Sequence, residues 1–144
     1  MEWYNVTNNF DAENTWFFIW EHVLRAGYAW VGVSAQHVGV DRLKTFSPTR
    51  YGSLNVTNTA GGDLDAYSYD IFSQAPQAIR NPVGVDVLGG LRRSLQPAIS
   101  QSAFRLALYV NSIDPLTPVY DGFLLLSTLG NPIRTDLRVP VWTV

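Results

Sequence analysis

Apolar residues follow two different spacings along this chain. Short runs rich in aliphatic, β-branched and aromatic residues predict strands over 3–7, 28–34, 95–99, 121–128 and 139–144. Apolar residues three or four positions apart predict a helix between a cap at Asp11 and a stop at Gly27, and further helices over 69–79 and 101–113. Strands that alternate with helices indicate βαβ units, so we expect an α/β fold with a mostly parallel sheet flanked by helices.

Two further expectations concern packing. The segment from 35 to 67 is rich in Gly, Asn, Ser, Thr and Asp, and this composition predicts a long loop or insertion. In the first helix, Trp16, Phe17 and Trp20 recur at helical spacing, which favours a place in the core for all three. The chain of 144 residues is expected to form a single domain.

The composition narrows the classes of function. Hydrophobic residues make up 47% of the chain and charged residues 15%, against a usual charged share of about 25%. The net charge of −2 gives no electrostatic basis for nucleic-acid binding, and the absence of cysteine excludes disulfides and thiolate metal sites. No apolar run reaches the roughly 18 residues of a membrane span, so we expect no membrane association. The composition does not determine the compartment.

The most informative segment for chemistry is 95–103, where an apolar run ends at Ser100 and a helical pattern begins at once. In hydrolases such a sharp strand-to-helix turn lifts a nucleophilic serine above the sheet. The alternative is structural, because a serine at a helix start can accept a backbone N–H as an N-cap. From the residues alone both interpretations of Ser100 stay open.

Several pieces of the chain, in order, resemble the α/β-hydrolase superfamily, and in particular bacterial and fungal α/β-hydrolase-domain proteins of esterase type. The matching pieces are 2–6, 30–36, 50–54, 69–75, 100–103 and 105–106. The resemblance implies acyl transfer on a small-molecule ester, without a cofactor or a metal. Ser100 would be the nucleophile, and backbone N–H groups of Gln101 and of the turn at Asn8 and Asn9 would stabilise the oxyanion.

The chain also departs from the family pattern. Ala98 and Ser102 stand where the family has glycine, Phe104 stands where it has a small residue that packs on the sheet, and Pro97 interrupts a central strand. The triad acid and histidine would follow position 144, so the domain is expected to be incomplete, with the remaining chain or a second subunit completing it. The alternative function is a non-catalytic, truncated hydrolase-like module that binds a ligand or a partner chain.

A few other residues are candidates for binding. His37 follows a predicted strand, and Tyr51, Tyr67 and Tyr69 lie in or beside the 35–67 segment, where they are candidates for lining a pocket. The three aspartates at 63, 65 and 70 follow a glycine pair, but a calcium loop requires a central glycine and a closing glutamate. We therefore expect these aspartates to form a solvated turn rather than a metal site.

Overall fold

In the computed structural model, the described residues are 1–7, 10–56, 61–86, 88, 95–128, 130 and 132–144. The helices are α1 (Asn14–Arg25), α2 (His37–Phe46), α3 (Pro48–Tyr51), α4 (Ser68–Arg80) and α5 (Gln101–Ser112). The strands are β1 (Glu2–Trp3), β2 (Asn5–Thr7), β3 (Phe10–Ala12), β4 (Gly32–Val33), β5 (Leu95–Ile99), β6 (Gly122–Leu126) and β7 (Val141–Thr143). Parallel strands flanked by helices confirm the predicted α/β fold.

The parallel strands form two hydrogen-bonded groups, one of β4 and β1 and one of β5, β6 and β7 in that order. Hydrogen bonds join β4 to β1 and join β5, β6 and β7 to one another, all in parallel register. β1 contacts β5, so the two groups of strands lie side by side. β2 and β3 form a separate antiparallel hairpin. The segment 3–7, predicted as one strand, is therefore divided between the parallel sheet and this hairpin.

β1 and β5 are in contact but are not paired by backbone hydrogen bonds in the described residues, and Pro97 lies on this side of β5. The Ser100 N–H donates to the Leu126 carbonyl across the β5–β6 pair. Backbone groups alternate sides along a strand, so Ala98 also faces β6, whereas the Pro97 nitrogen faces the β1 side. Proline has no N–H to donate there. The predicted cost of Pro97 thus falls on the β1 side and leaves the β5–β6 register intact.

The core lies between this sheet and helices α4 and α5. Its aromatic members form a continuous cluster of ring contacts at 4.6–6.3 Å between centroids: Trp3, Tyr69, Phe72, Tyr109, Tyr120 and Phe123. The buried phenols keep hydrogen-bond partners, since the Tyr120 hydroxyl donates to the Phe72 carbonyl and the Tyr109 hydroxyl pairs with Ser73 Oγ at 2.8 Å. Burial raises the pKa of the Tyr109 hydroxyl to about 12.

The start of α1 differs from the prediction. Asp11 lies in β3, and the residue at the N-cap position is Glu13, which makes no side-chain cap hydrogen bond. The cap comes instead from β1. The buried Glu2 carboxylate accepts the backbone N–H groups of Thr15 at 2.7 Å and Trp16 at 3.0 Å. A carboxylate at this end of a helix also interacts favourably with the helix dipole.

The outer face of α1 is also a correction. Phe17 is 74% exposed and Trp20 is 46% exposed, so neither belongs to the core formed by the described residues. Trp16 is partly buried and stacks on the Trp30 ring, with centroids 4.7 Å apart. Helical spacing correctly predicted that these side chains share one helix, but it does not reveal what covers them.

The two remaining differences lie in and before the 35–67 segment. Only Gly32–Val33 of the predicted strand 28–34 is paired as β4. The segment from 35 to 67, predicted as a loop, contains α2 and α3. The sequence did not predict α2 because the helix is largely polar. Only Gly39 and Val40 of this helix are buried, so it carries no apolar face that a helical pattern would reveal.

Candidate functional site

Ser100 occupies the turn between β5 and α5, where the sequence placed it. Its backbone has φ +57° and ψ −122°, a conformation that residues other than glycine rarely adopt. Ser100 is exposed, and its hydroxyl makes no cap hydrogen bond to α5. Ser100 stands at the N-cap position of α5, but the interpretation that its hydroxyl caps the helix is wrong. The residue is instead a serine that is held in a strained turn, with its hydroxyl unused by the helix.

Gln101 is the first residue of α5, so its backbone N–H lies at the free N-terminal end of the helix hydrogen-bond ladder. This is the end at which the helix dipole favours a developing negative charge. The other predicted oxyanion donors, Asn8 and Asn9, lie outside the described residues. Their role remains a prediction.

Small residues bring α5 close to the sheet. Ser102 and Ala103 are completely buried, and Ala107 is nearly so. Phe104 was expected to obstruct this packing, but it is 44% exposed and lies on the outer side of the helix. That expectation was wrong because the sheet-facing position is Ala103. The turn at Ser100 therefore closes with alanine and serine in the places where the family has glycine.

A second polar cluster joins the start of α2 to α5. Asp65 is buried, and its carboxylate accepts the His37 backbone N–H at 2.8 Å and the Gln36 side-chain amide at 3.0 Å. The same carboxylate lies 2.9 Å from His37 Nδ1 and 3.1 Å from Arg105 Nη2. Asp65 was predicted to belong to a solvated turn. The structure corrects this prediction, because its partners come from distant parts of the chain that a local pattern does not reveal.

The environment of Asp65 stabilises its charged form. Burial by itself raises the pKa of this carboxyl group, but hydrogen bonds from Gln36 and His37 and the charge of Arg105 outweigh burial and lower the pKa below its ordinary value of 3.8. Asp65 is therefore a carboxylate at neutral pH. As such it orients His37 through Nδ1, which leaves Nε2 as the ring nitrogen open to another group.

His37 also borders a shallow cavity of about 290 Å³ on one side of α2. The other lining residues are Val38, Asp41, Arg42 and Thr45. No hydrogen bond joins His37 or Asp65 to Ser100 in the part of the chain that the structure describes. The structure thus brings together a histidine and an aspartate.

The three tyrosines predicted as pocket candidates lie on different elements. Tyr51 ends α3 and has the Arg50 guanidinium over its ring at 5.5 Å. Tyr67 precedes α4 and is exposed, whereas Tyr69 is partly buried and packs against Trp3 at the edge of the core. Pocket lining by these tyrosines remains a prediction.

Comparison with known proteins identifies the family of this chain. A model of the alpha/beta hydrolase domain family matches residues 1–144. Neither the curated proteins nor the solved structures gave a match to this chain. Among the described residues, no helix is long and apolar enough to cross a membrane. Since the family model covers every residue of the sequence, the chain belongs to the alpha/beta hydrolase domain family.

Proposed function

We propose that this chain carries the nucleophile of a serine hydrolase that acts on esters, and that the nucleophile is Ser100. The observation that supports this most is the backbone of Ser100, at φ +57° between β5 and α5. A non-glycine residue in such a conformation costs about 1–3 kcal/mol and persists only where the surrounding structure holds it, and such residues cluster at active sites. In this fold the serine nucleophile sits on a strained strand-to-helix turn of this kind.

The chemistry assigned to these groups is a two-step acyl transfer. Ser100 Oγ attacks the ester carbonyl carbon, its proton passes to a general base, and the carbonyl oxygen becomes an oxyanion near the Gln101 N–H. Collapse of this intermediate breaks the ester C–O bond, and the base returns the proton to the departing alcohol. Water then cleaves the acyl-serine ester by the same steps, which releases a carboxylic acid.

The proposal assigns the nucleophile and leaves the general base open. The sequence holds two histidines, His22 and His37. Among the described residues neither one hydrogen bonds to Ser100 Oγ, although the pairing of His37 Nδ1 with Asp65 leaves Nε2 open. A serine without a base is a poor nucleophile. Activity of the 144-residue chain by itself is therefore part of the test.

The test is covalent labelling with a fluorophosphonate probe, read by intact mass and peptide mapping. We expect one added label, mapped to Ser100. Ser100→Ala should abolish labelling with little effect on stability, because alanine keeps the same Cβ in the same turn. Ser100→Gly should abolish labelling and raise the free energy of unfolding by about 1 kcal/mol, since glycine adopts positive φ without strain.

The control is Ser112→Ala, which removes an exposed serine at the far end of α5 and should leave labelling unchanged. Labelling of Ser100→Ala at the wild-type rate would refute the assignment of the nucleophile. So would a wild-type chain that is folded and remains unlabelled.

The second candidate function is a non-catalytic hydrolase-like module that binds a partner chain, and the outer face of α1 favours it. Exposed aromatic residues cluster there, with Phe17 and Phe18 in edge-to-face contact at 5.4 Å. Exposed apolar patches often mark interaction surfaces. Under this alternative, Ser100 stays unlabelled. Sedimentation should then show self-association of the purified chain, and Phe17→Ser should weaken it.

A further inference from the structure

We propose that Ser127 is a second hydroxyl of the site at Ser100 and contacts the ester that binds there. This inference rests on the proposed function of Ser100. Among the described residues, Ser100 and Ser127 are the non-glycine residues with positive φ, at +57° and +58°. Each of them directly follows a strand, β5 in one case and β6 in the other.

The strand register makes these two serines neighbours. β5 and β6 are parallel, and Ile99 pairs with Leu126 at their carboxyl ends. The next residue on each strand is a serine, so Ser100 and Ser127 lie side by side at the same edge of the sheet. Adjacent strands are about 4.8 Å apart, which is within the span of one small acyl or alkoxy group.

The two turns are also built in the same way. The Ser100 N–H donates to the Leu126 carbonyl at 3.0 Å, and the Ser127 N–H donates to the Val144 carbonyl at 2.7 Å. The Val144 N–H donates in turn to the Leu125 carbonyl at 2.9 Å. The last hydrogen bonds of the sheet therefore hold both strained residues, which is the condition under which such strain persists.

The Ser127 hydroxyl is available for a ligand. Ser127 is exposed, and its side chain makes no hydrogen bond to any described part of the chain. A strained residue whose side chain makes no hydrogen bond within the described residues is unexplained by stability, because glycine would fit this backbone at lower cost. Its position beside Ser100 explains it, since a hydroxyl there can donate a hydrogen bond to an oxygen of the bound ester.

The test compares three variants that separate the hydroxyl from the backbone strain. Ser127→Ala removes the hydroxyl and keeps the Cβ, so the strain remains. Ser127→Gly removes both the hydroxyl and the strain, and it is therefore expected to fold at least as stably as the wild type. Ser127→Asn keeps a hydrogen-bond donor and tolerates positive φ. The control is Ser112→Ala.

The measurements are the rate of fluorophosphonate labelling at Ser100, kcat/KM for p-nitrophenyl acetate, and the melting temperature. We expect the Ala and Gly variants to lose about ten-fold in both rates, the size of one lost hydrogen bond. Their melting temperatures should differ, with the Gly variant higher. The Asn variant should recover part of the rate, and Ser112→Ala should equal the wild type.

Each other outcome overturns a definite statement. Wild-type rates in both the Ala and the Gly variants, with Ser100 still labelled, overturn the role of Ser127 and leave the proposed function standing. A rate that follows the melting temperature rather than the hydroxyl overturns the contact and makes Ser127 a structural residue. Failure of the folded wild-type chain to label at Ser100 overturns the proposed function, and this inference with it.

Discussion

The substitution Asp65→Asn tests the polar cluster that connects the start of α2 to α5. Asparagine has nearly the same shape, but it carries no charge and replaces one carboxylate oxygen by an amide that donates hydrogen bonds. The carboxylate oxygens of Asp65 face donors, since Gln36, His37 and Arg105 all present N–H groups to them. The amide of asparagine would therefore face another donor and leave Arg105 without its carboxylate partner.

The expected loss of stability in Asp65→Asn follows from the burial of the ion pair. The Asp65 side chain is 8% exposed and that of Arg105 is 22% exposed. Breaking a buried ion pair by removal of one partner costs about 3–5 kcal/mol. The lower end applies here because water can reach Arg105, so we expect a loss of about 3 kcal/mol in the free energy of unfolding. For a chain of this size that corresponds to a fall of about 6–12 °C in melting temperature.

The pH dependence has a definite sign. The pKa of Asp65 is lowered in the folded chain, so its contribution to stability is fully present above the ordinary value of 3.8. The contribution is lost as the pH falls through the lower, folded-state pKa. The stability difference between wild type and Asp65→Asn should therefore be constant from pH 7 to about pH 5 and should shrink below about pH 4.

The assay is urea unfolding followed by tryptophan fluorescence, repeated across this pH range. The matched control is Asp41→Asn, because Asp41 is an exposed aspartate on α2 whose contact with Lys44 is 3.8 Å long. This control should change stability by less than about 0.5 kcal/mol. A loss below about 1 kcal/mol in Asp65→Asn, or a difference that does not change with pH, would refute the argument that Asp65 supports this part of the fold as a buried anion.

Two further predictions concern other buried carboxyl groups. Glu2→Gln weakens the cap of α1, and in urea unfolding it should lower the free energy of unfolding by about 1–2 kcal/mol. The control Glu21→Gln, on the exposed side of α1, should leave stability nearly unchanged. Equal effects of the two substitutions would contradict the cap. At Asp114, burial raises the pKa more than the charge of Arg138 lowers it, so ionisation of Asp114 destabilises the fold as the pH rises above 3.8. Asp114→Asn should therefore be more stable than the wild type at pH 7, and the difference in stability should disappear near pH 3.8. If the variant is less stable than the wild type at pH 7, the carboxylate of Asp114 has a favourable partner and the argument is wrong.

The sequence predicted the C-terminal half of the fold better than the N-terminal half. Strand 95–99 matches β5 in full, and the helix predicted over 101–113 matches α5 to within one residue. Both signals are local, because an apolar run and a helical period determine them. The start of α1 is different. Its cap is Glu2, which lies 13 residues before Thr15. Sequence patterns for a helix start include only residues next to the helix, so they do not predict this cap.

The candidate site shows the same division. Ser100 could be predicted because strand, serine and helix are consecutive in the chain. The link between His37 and Asp65 could not be predicted, since it joins residues 28 positions apart whose neighbours have the composition of a loop. The position of Ser127 could not be predicted from the sequence either, because no residue pattern indicates that a serine adopts positive φ. It becomes visible only when the β5–β6 register places it beside Ser100.

The sheet also explains why the site tolerates an unusual sequence at its centre. Pro97 removes a hydrogen bond on the β1 side of β5, whereas Ser100 is held from the β6 side through Leu126. The hydrogen bond that Pro97 removes and the hydrogen bond that holds Ser100 therefore lie on opposite edges of β5. α5 is fixed independently by Ala103 and Ala107 against the core and by Arg105 against Asp65. A defect on one edge of β5 thus leaves the geometry of Ser100 in place, provided that β6 and the Asp65 cluster remain intact.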